Sequence, residues 1–267
     1  MNDLLNLSRG TSPLLISMPH CGIQVPADIS EHLSEAAKAL PDTDWHIPLL
    51  YEFATDLQAS VLSANYSRYV VDLNRPPDNQ PLYPGQASTS LCPETLFDGS
   101  PMYVAGYTLD EDEISRRRET YWQPYHDALV AEIKRIQDTF GYVLLYDAHS
   151  IASQVPRLFE GRLADMNYGT ARGQSCGTPI EARLHTVLDQ GQYTVAINQR
   201  FVGGYITRHY GHPDAGVHAV QMELAQCNYM NETPDFSYRE DLAGNLKVIL
   251  KELLEEFLSA GAALNSN

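Results

Sequence analysis

The stretch Gly141 to Ser150, GYVLLYDAHS, constrains this chain more than any other. An apolar, β-prone run from Tyr142 to Tyr146 leads straight into Asp147 and His149, so a buried strand ends in ionisable groups. Period-two geometry puts those two side chains on one face. Open α/β sheets bind ligands just beyond the carboxyl ends of their strands, where an imidazole is well placed to hold a metal or move a proton. A structural histidine with satisfied hydrogen bonds is the alternative that this stretch alone leaves open.

A second stretch repeats the pattern. SPLLISM at 12 to 18 is a short apolar run that breaks at Pro19-His20-Cys21-Gly22, again placing an imidazole at a strand end. Two such histidines favour a metal, since neutral imidazole is its commonest protein ligand. A catalytic zinc takes three protein ligands from His, Asp and Glu and keeps a position for water, so a third ligand is wanted. Pro41-Asp42-Thr43-Asp44 precedes an apolar-periodic segment through Ile47, Leu50, Tyr51 and Ala54. Helix capping is the ordinary role of Asp42 and Asp44 there; Asp44 is also the candidate third ligand, with His46 in reserve.

Val217 to Leu224 reads as a strand with Ala219, Gln221 and Glu223 on one face. A carboxylate inside a buried strand is costly unless it is paired or functional, which makes Glu223 the best acid/base candidate, with an arginine-paired glutamate as the structural alternative. Two histidines and a carboxylate around zinc, with a free glutamate nearby, suit amide hydrolysis. The metal lowers the pKa of its water toward ~7 and polarises the carbonyl, while the glutamate carries the proton to the leaving amine.

Elsewhere the pattern predicts helices at Ile29 to Leu40, Leu109 to Thr139, Pro179 to Leu188 and Phe236 to Ala260, and strands at Ser60 to Ala64, Tyr69 to Asp72 and Tyr193 to Asn198. In the second helix Arg116 to Arg118 and His126 read as a solvated face, and Pro124 as a kink. The thirty or so residues that follow Asn74-Arg75-Pro76-Pro77-Asp78-Asn79, to about Tyr107, are rich in Pro, Gly, Ser and Tyr, and Tyr83, Phe97, Tyr103 and Tyr107 favour an ordered cover over a site. Gly203-Gly204 would let backbone approach a ligand closely.

The net charge of −16 argues against nucleic acid or an anionic membrane as partner, and makes any acidic ligand depend on local arginines. Arg75, Arg162 and Arg208 lie in expected loops near the site and suit a small dicarboxylate-like amide. The 267 residues show no composition shift or linker, so one α/β domain over 1–267 is expected. Four scattered cysteines suggest neither a disulfide scaffold nor a thiolate zinc site. Cys21 has no histidine at a partner spacing for a nucleophile, and Ser150 lacks a GxSxG elbow. MNDLLNLSRG does not look like a signal peptide and no apolar run approaches the ~20 residues of a membrane span, so a cytoplasmic protein is expected.

PHCG at 19 to 22, TDWHI at 43 to 47, RYVVDLNRP at 68 to 76, YDAHS at 146 to 150, and GGYITRHYG followed by HAVQMELAQ together resemble the N-formylglutamate amidohydrolase (N-formylglutamate deformylase) family, from Ser12 to Met230. The resemblance implies a zinc-peptidase-like (phosphorylase/hydrolase-like) three-layer α/β/α fold with a mixed central sheet, related to carboxypeptidases. It implies hydrolysis of N-formyl-L-glutamate to formate and L-glutamate in histidine breakdown. Mapped by position, it supports His20, Asp44 and His149 as zinc ligands, Glu223 as general base, and Arg75 and Arg208 as holders of the substrate's carboxylates; Asn74, Arg162 and Gly204 complete the expected substrate-binding set. Two features depart from the family pattern: Cys21 stands where relatives often have serine, and His20 and Asp44 are much further apart than the HxxE of carboxypeptidases. A zinc deacylase for another N-acyl amino acid, or a non-catalytic binder of acidic metabolites, are the competing expectations.

Overall fold

The computed structural model describes residues 4–81, 89–190 and 192–265. Its strands are β1 (Leu5–Ser8), β2 (Leu14–Met18), β3 (Ser60–Ala64), β4 (Val143–Ile151), β5 (Met166–Gly169), β6 (Val195–Ile197) and β7 (Val217–Ala225). They form a mixed sheet of order β1-β3-β2-β4-β7-β5-β6. The central four, β3, β2, β4 and β7, are parallel; β1 and β5 join antiparallel at either side, and β6 follows β5.

Every residue of β2, β4 and β7 is buried, which is why these strands read as near-continuous apolar runs. Alternate side chains feed two cores. Leu144, Tyr146, Val220 and Met222 face the helices Thr178–Asp189 and Glu240–Asn265, whereas Leu15, Val143, Leu145 and Ala219 face the helix Gln123–Phe140. This is the expected three-layer α/β/α arrangement. The helix Glu240–Asn265 comes close to the sheet at Gly261, where a Cβ would meet Leu144 Cδ2 at 2.8 Å. Each fully buried leucine in these layers contributes about 1.5–3 kcal/mol, so the sheet ends are held by a rigid base.

Several local expectations are corrected. The segment expected as one helix over Ile29 to Leu40 is two single turns, Ala27–Ser30 and Glu35–Lys38. Ser34 caps the second turn by accepting from the Ala37 amide, and Leu33 bridges to Tyr103 instead of continuing the helix. Tyr69 to Asp72 is buried but is not a strand: the Tyr69 amide donates to the Ser67 hydroxyl and the Val70 amide to the Ser67 carbonyl, which turns the chain at its start, and Asp72 accepts from the Asn74 amide to curl it again. The long helix expected over Leu109 to Thr139 runs from Glu111 to Phe140, and carries a five-residue π-turn, Arg118–Trp122, just before Pro124. The arginine-rich face is not fully solvated either: Arg117 is wholly buried and donates to Glu113 and the Tyr103 hydroxyl, and His126 is buried too. Neither Asp42 nor Asp44 caps a helix; the helix Ile47–Leu50 starts from His46, whose φ of 61° is left-handed. No helix among the described residues is long and apolar enough to cross a membrane.

Candidate metal centre

The face of the sheet that carries Val143 and Leu145 turns polar toward the carboxyl end of β4, where Asp147 and His149 follow in alternation. β7 does the same, passing from Val217 and Ala219 to Gln221 and Glu223. His149 and Glu223 are register partners on these adjacent parallel strands, so their side chains emerge side by side from one face. His20 stands in the turn after β2, the other neighbour of β4, and the Asp44 amide donates to its carbonyl oxygen at 3.0 Å. That bond draws Asp44 into the cluster.

His20, Asp44 and His149 are all buried, and each offers a ligand atom within 4.8 Å of the others. Asp44 Oδ2 lies 3.0 Å from His149 Nδ1 and 3.8 Å from His20 Nδ1. The opposite ring nitrogens each meet a different carboxylate: His20 Nε2 is 2.7 Å from Asp72 Oδ1, and His149 Nε2 is 2.9 Å from Asp147 Oδ2. With Nε2–H donated to a carboxylate, each imidazole in its neutral form turns an Nδ1 lone pair to the centre, the arrangement that orients metal-binding histidines. Asp44 Oδ1 is buried with no hydrogen-bond partner among the described residues. An uncompensated carboxylate oxygen beside two lone pairs is costly without a cation, so the donor set fits a divalent metal. His46 turns away, its Nε2 2.6 Å from the Phe236 carbonyl oxygen.

The surroundings pull the ionisable groups in different directions. Burial, helped by Arg68, holds His20 below the usual histidine range. Burial also acts to lower His149, but Asp147 and Asp44 outweigh it and hold the ring well above that range. Burial opposes ionisation of Asp72, yet Arg68, Arg75 and His20 keep its carboxyl well below the ordinary carboxylate value. Burial pushes Glu223 up to about 8. Loss of hydration pushes Cys21 up to about 12, and its thiol donates to the Met18 carbonyl, which does not suit a nucleophile. Ser150 points to the other side of β4, where its hydroxyl accepts from Tyr229.

A cleft of about 600 Å³ opens over this cluster, lined by His20, His149, Glu223, Asn74, Arg75 and Gly204 among others. Asn74 is a support: its Nδ2 donates to Asp147 Oδ2 at 3.1 Å and packs against the His149 ring edge, while its Oδ1 accepts from the Ile206 amide. Gly204 is explained by the same residue, since a Cβ there would meet Asn74 Nδ2 at 2.3 Å. Arg75 is held at the wall by Thr89, whose carbonyl and hydroxyl both accept from it. Phe97 lines the cleft, as an ordered cover would; Tyr83 lies outside the described residues. Arg162 and Arg208 are not among the lining residues. Arg162 pairs with Asp165 with its side chain 57% exposed, and Arg208 donates to the Gly203 carbonyl.

The cleft has two arginines that the sequence reading passed over, Arg68 and Arg200. Arg68 stood in the RYVVDLNRP motif, but its pair with Asp72 at 2.6 Å closes across a turn, where no helical spacing announces it. Arg200 had no signal either. Two further supports lie outside the cleft: Trp122 Nε1 donates to the Arg75 carbonyl at 3.0 Å, and His126 Nε2 sits 2.9 Å from the Leu73 carbonyl oxygen. His126 also stacks on Trp122 at 3.7 Å.

The model of the N-formylglutamate amidohydrolase family matches residues 12–230. A curated relative from Pseudomonas aeruginosa, an N-formylglutamate deformylase, is 52% identical over 262 residues and 98% of both chains. One of the same name from Pseudomonas putida is 51% identical over 263 residues and again 98% of both. Among solved structures, an N-formylglutamate amidohydrolase from Ralstonia eutropha superposes with a TM-score of 0.80 at 23% identity over 98% of each chain. A gene product of Agrobacterium tumefaciens gives 0.72 at 18% identity over 95% of this chain and 96% of that one. These last two speak for the fold. With the family model spanning most of its length and two relatives matching half its residues end to end, the chain belongs to the N-formylglutamate amidohydrolase family.

Proposed function

We propose that this chain is a zinc-dependent N-formylglutamate deformylase, hydrolysing N-formyl-L-glutamate to formate and L-glutamate in the cytoplasm, with all 267 residues acting as one hydrolytic domain. The observation that carries this reading is Glu223 emerging beside His149, within a cleft that also holds His20 and Arg75. His20, Asp44 and His149 are the proposed ligands, and two imidazoles with one carboxylate suit zinc. Bound there, the metal supplies Lewis acidity to the formyl oxygen and acidifies water.

The remaining work falls to the chain. Asp72 and Asp147 fix which ring nitrogen of each histidine faces the centre. Glu223 takes a proton from the attacking water and delivers it to the leaving nitrogen, so that the carbon–nitrogen bond breaks to a neutral amine and formic acid, which releases its proton to become formate. Its burial keeps the carboxyl easy to reprotonate, as a group that must both accept and donate requires. Arg75 beside the ligands holds a substrate carboxylate.

The test is formate release from N-formyl-L-glutamate. Activity should vanish with a chelator and return with added zinc, and Glu223→Gln should keep its metal while losing roughly 10²–10⁴-fold in turnover. Full activity after the metal has been stripped, or near-normal turnover in the Gln variant, removes the mechanism.

A further inference from the structure

We infer that Arg200 anchors the distal, side-chain carboxylate of the substrate and so sets the preference for acidic over neutral N-acyl amino acids; this rests on the deformylase reading. The cleft holds three guanidinium groups, from Arg68, Arg75 and Arg200. Arg68 is buried and committed to Asp72 at 2.6 Å, so its charge is already matched. Arg75 follows Asn74, which touches both Asp147 and His149, and therefore stands close to the metal ligands. It suits the carboxylate on the carbon that bears the amide nitrogen, which stays within a few bonds of the reacting carbon.

The other carboxylate of a glutamate lies three bonds beyond and needs a cation further out. Arg200 stands in the loop between β6 and the helix Tyr205–Tyr210, whereas Arg68 and Arg75 follow β3. In sheet order the histidines and Glu223, on or next to β2, β4 and β7, fall between those two groups. The Arg200 fork is oriented in advance: its Nε donates to the Leu158 carbonyl at 2.8 Å, and its guanidinium lies 5.2 Å over the Phe201 ring. A planar donor fixed in this way binds a carboxylate with little further ordering. Against a chain of net charge −16, a dianionic ligand has reason to need a second cation at that end.

The experiment compares kcat/KM for N-formyl-L-glutamate and N-formyl-L-glutamine, neutral only at the distal group, in wild type, Arg200→Gln and Arg200→Lys. The acid-over-amide ratio should fall at least tenfold in Arg200→Gln, through KM for the acid, and recover in part in Arg200→Lys. An unchanged ratio in the folded Gln variant overturns the assignment, as does a loss carried by kcat alone. If the Gln variant does not fold, a Lys variant with an undiminished ratio and unchanged KM overturns it, and a raised KM for the acid alone supports it. Should the wild type release formate from neither compound, the deformylase reading fails separately. Arg200 is then read from binding of glutarate against glutaramate, where loss of glutarate preference in the variant supports the anchor and retention overturns it.

Discussion

His20 and His149 meet the same centre from neighbouring strands, but the charges behind them differ. Behind His20 stands Asp72, which is also held by Arg68 at 2.6 Å and has Arg75 at 3.9 Å. Behind His149 stands Asp147, whose supporting contact from the 74 position is the neutral amide of Asn74. The first imidazole is therefore held neutral by burial and by Arg68, and the second is drawn toward protonation by carboxylates that are not offset in this way. Two ligands that look alike in sequence belong to different electrostatic arms. One is ready to bind a cation as it stands, and the other must first release a proton.

The comparison breaks most completely at the residue common to both arms. Asp44→Ala should remove stoichiometric metal, read by elemental analysis after gel filtration, and lower formate release by about 10³-fold or more. Metal retained at full occupancy would place the centre elsewhere.

Replacing the two backing carboxylates separates the arms. Asp72→Asn and Asp147→Asn should each weaken metal binding by about 10–100-fold in chelator competition. Only Asp72→Asn also strands a buried arginine, so it should cost about 3–5 kcal/mol in urea unfolding, well beyond Asp147→Asn. Equal losses of stability would mean that Arg68 does not distinguish the arms.

The smallest effect is on pH. In metal-free protein the His149 value lies above its unfolded 6.5, so its stabilisation is complete below that pH and is lost as pH rises through the folded value. Glu223, raised from 4.5 to about 8, acts in the same sense between those limits. His20, lowered, acts only below its unfolded 6.5. The chelator-treated protein should therefore lose stability from pH 6.5 to 8, by up to about 1.4 kcal/mol per pH unit for each extra proton held by the folded state. Asp147→Asn should flatten that slope and Asp72→Asn should leave it. A flat wild-type profile would remove the distinction.

The sheet end was legible because alternation within a buried strand is a strong signal: Asp147 and His149, or Gln221 and Glu223, stand out against the apolar residues before them. Asp44 was ambiguous, since an aspartate before a helix looks the same whether it caps or turns inward, and only the bond from its amide to the His20 carbonyl decides. Tyr69 to Asp72 misled because burial, and not strand pairing, selects its β-prone residues. Arg117 and His126 misled for the opposite reason: polar side chains at helical spacing imply water, but here each finds carbonyl or hydroxyl partners within the protein. Arg200 belongs to a loop that the fold carries back to Leu158, a contact 42 residues distant that no local pattern encodes.

The π-turn at Arg118–Trp122 has a mechanical meaning. A π-turn holds about one residue more than an α-turn, so the helix on either side is out of step by a single position, or about 100° of rotation. Before it, Arg117 grips the carbonyls of Tyr69 and Val70; at its last residue and one turn on, Trp122 and His126 grip those of Arg75 and Leu73. The helix thus acts as a vice with two jaws on the segment that carries Asp72 and Asn74, and the inserted residue sets the phase between them. Deleting one residue from that turn would swing one jaw round the axis and shift the backing of both histidines, although every residue facing the cleft kept its identity.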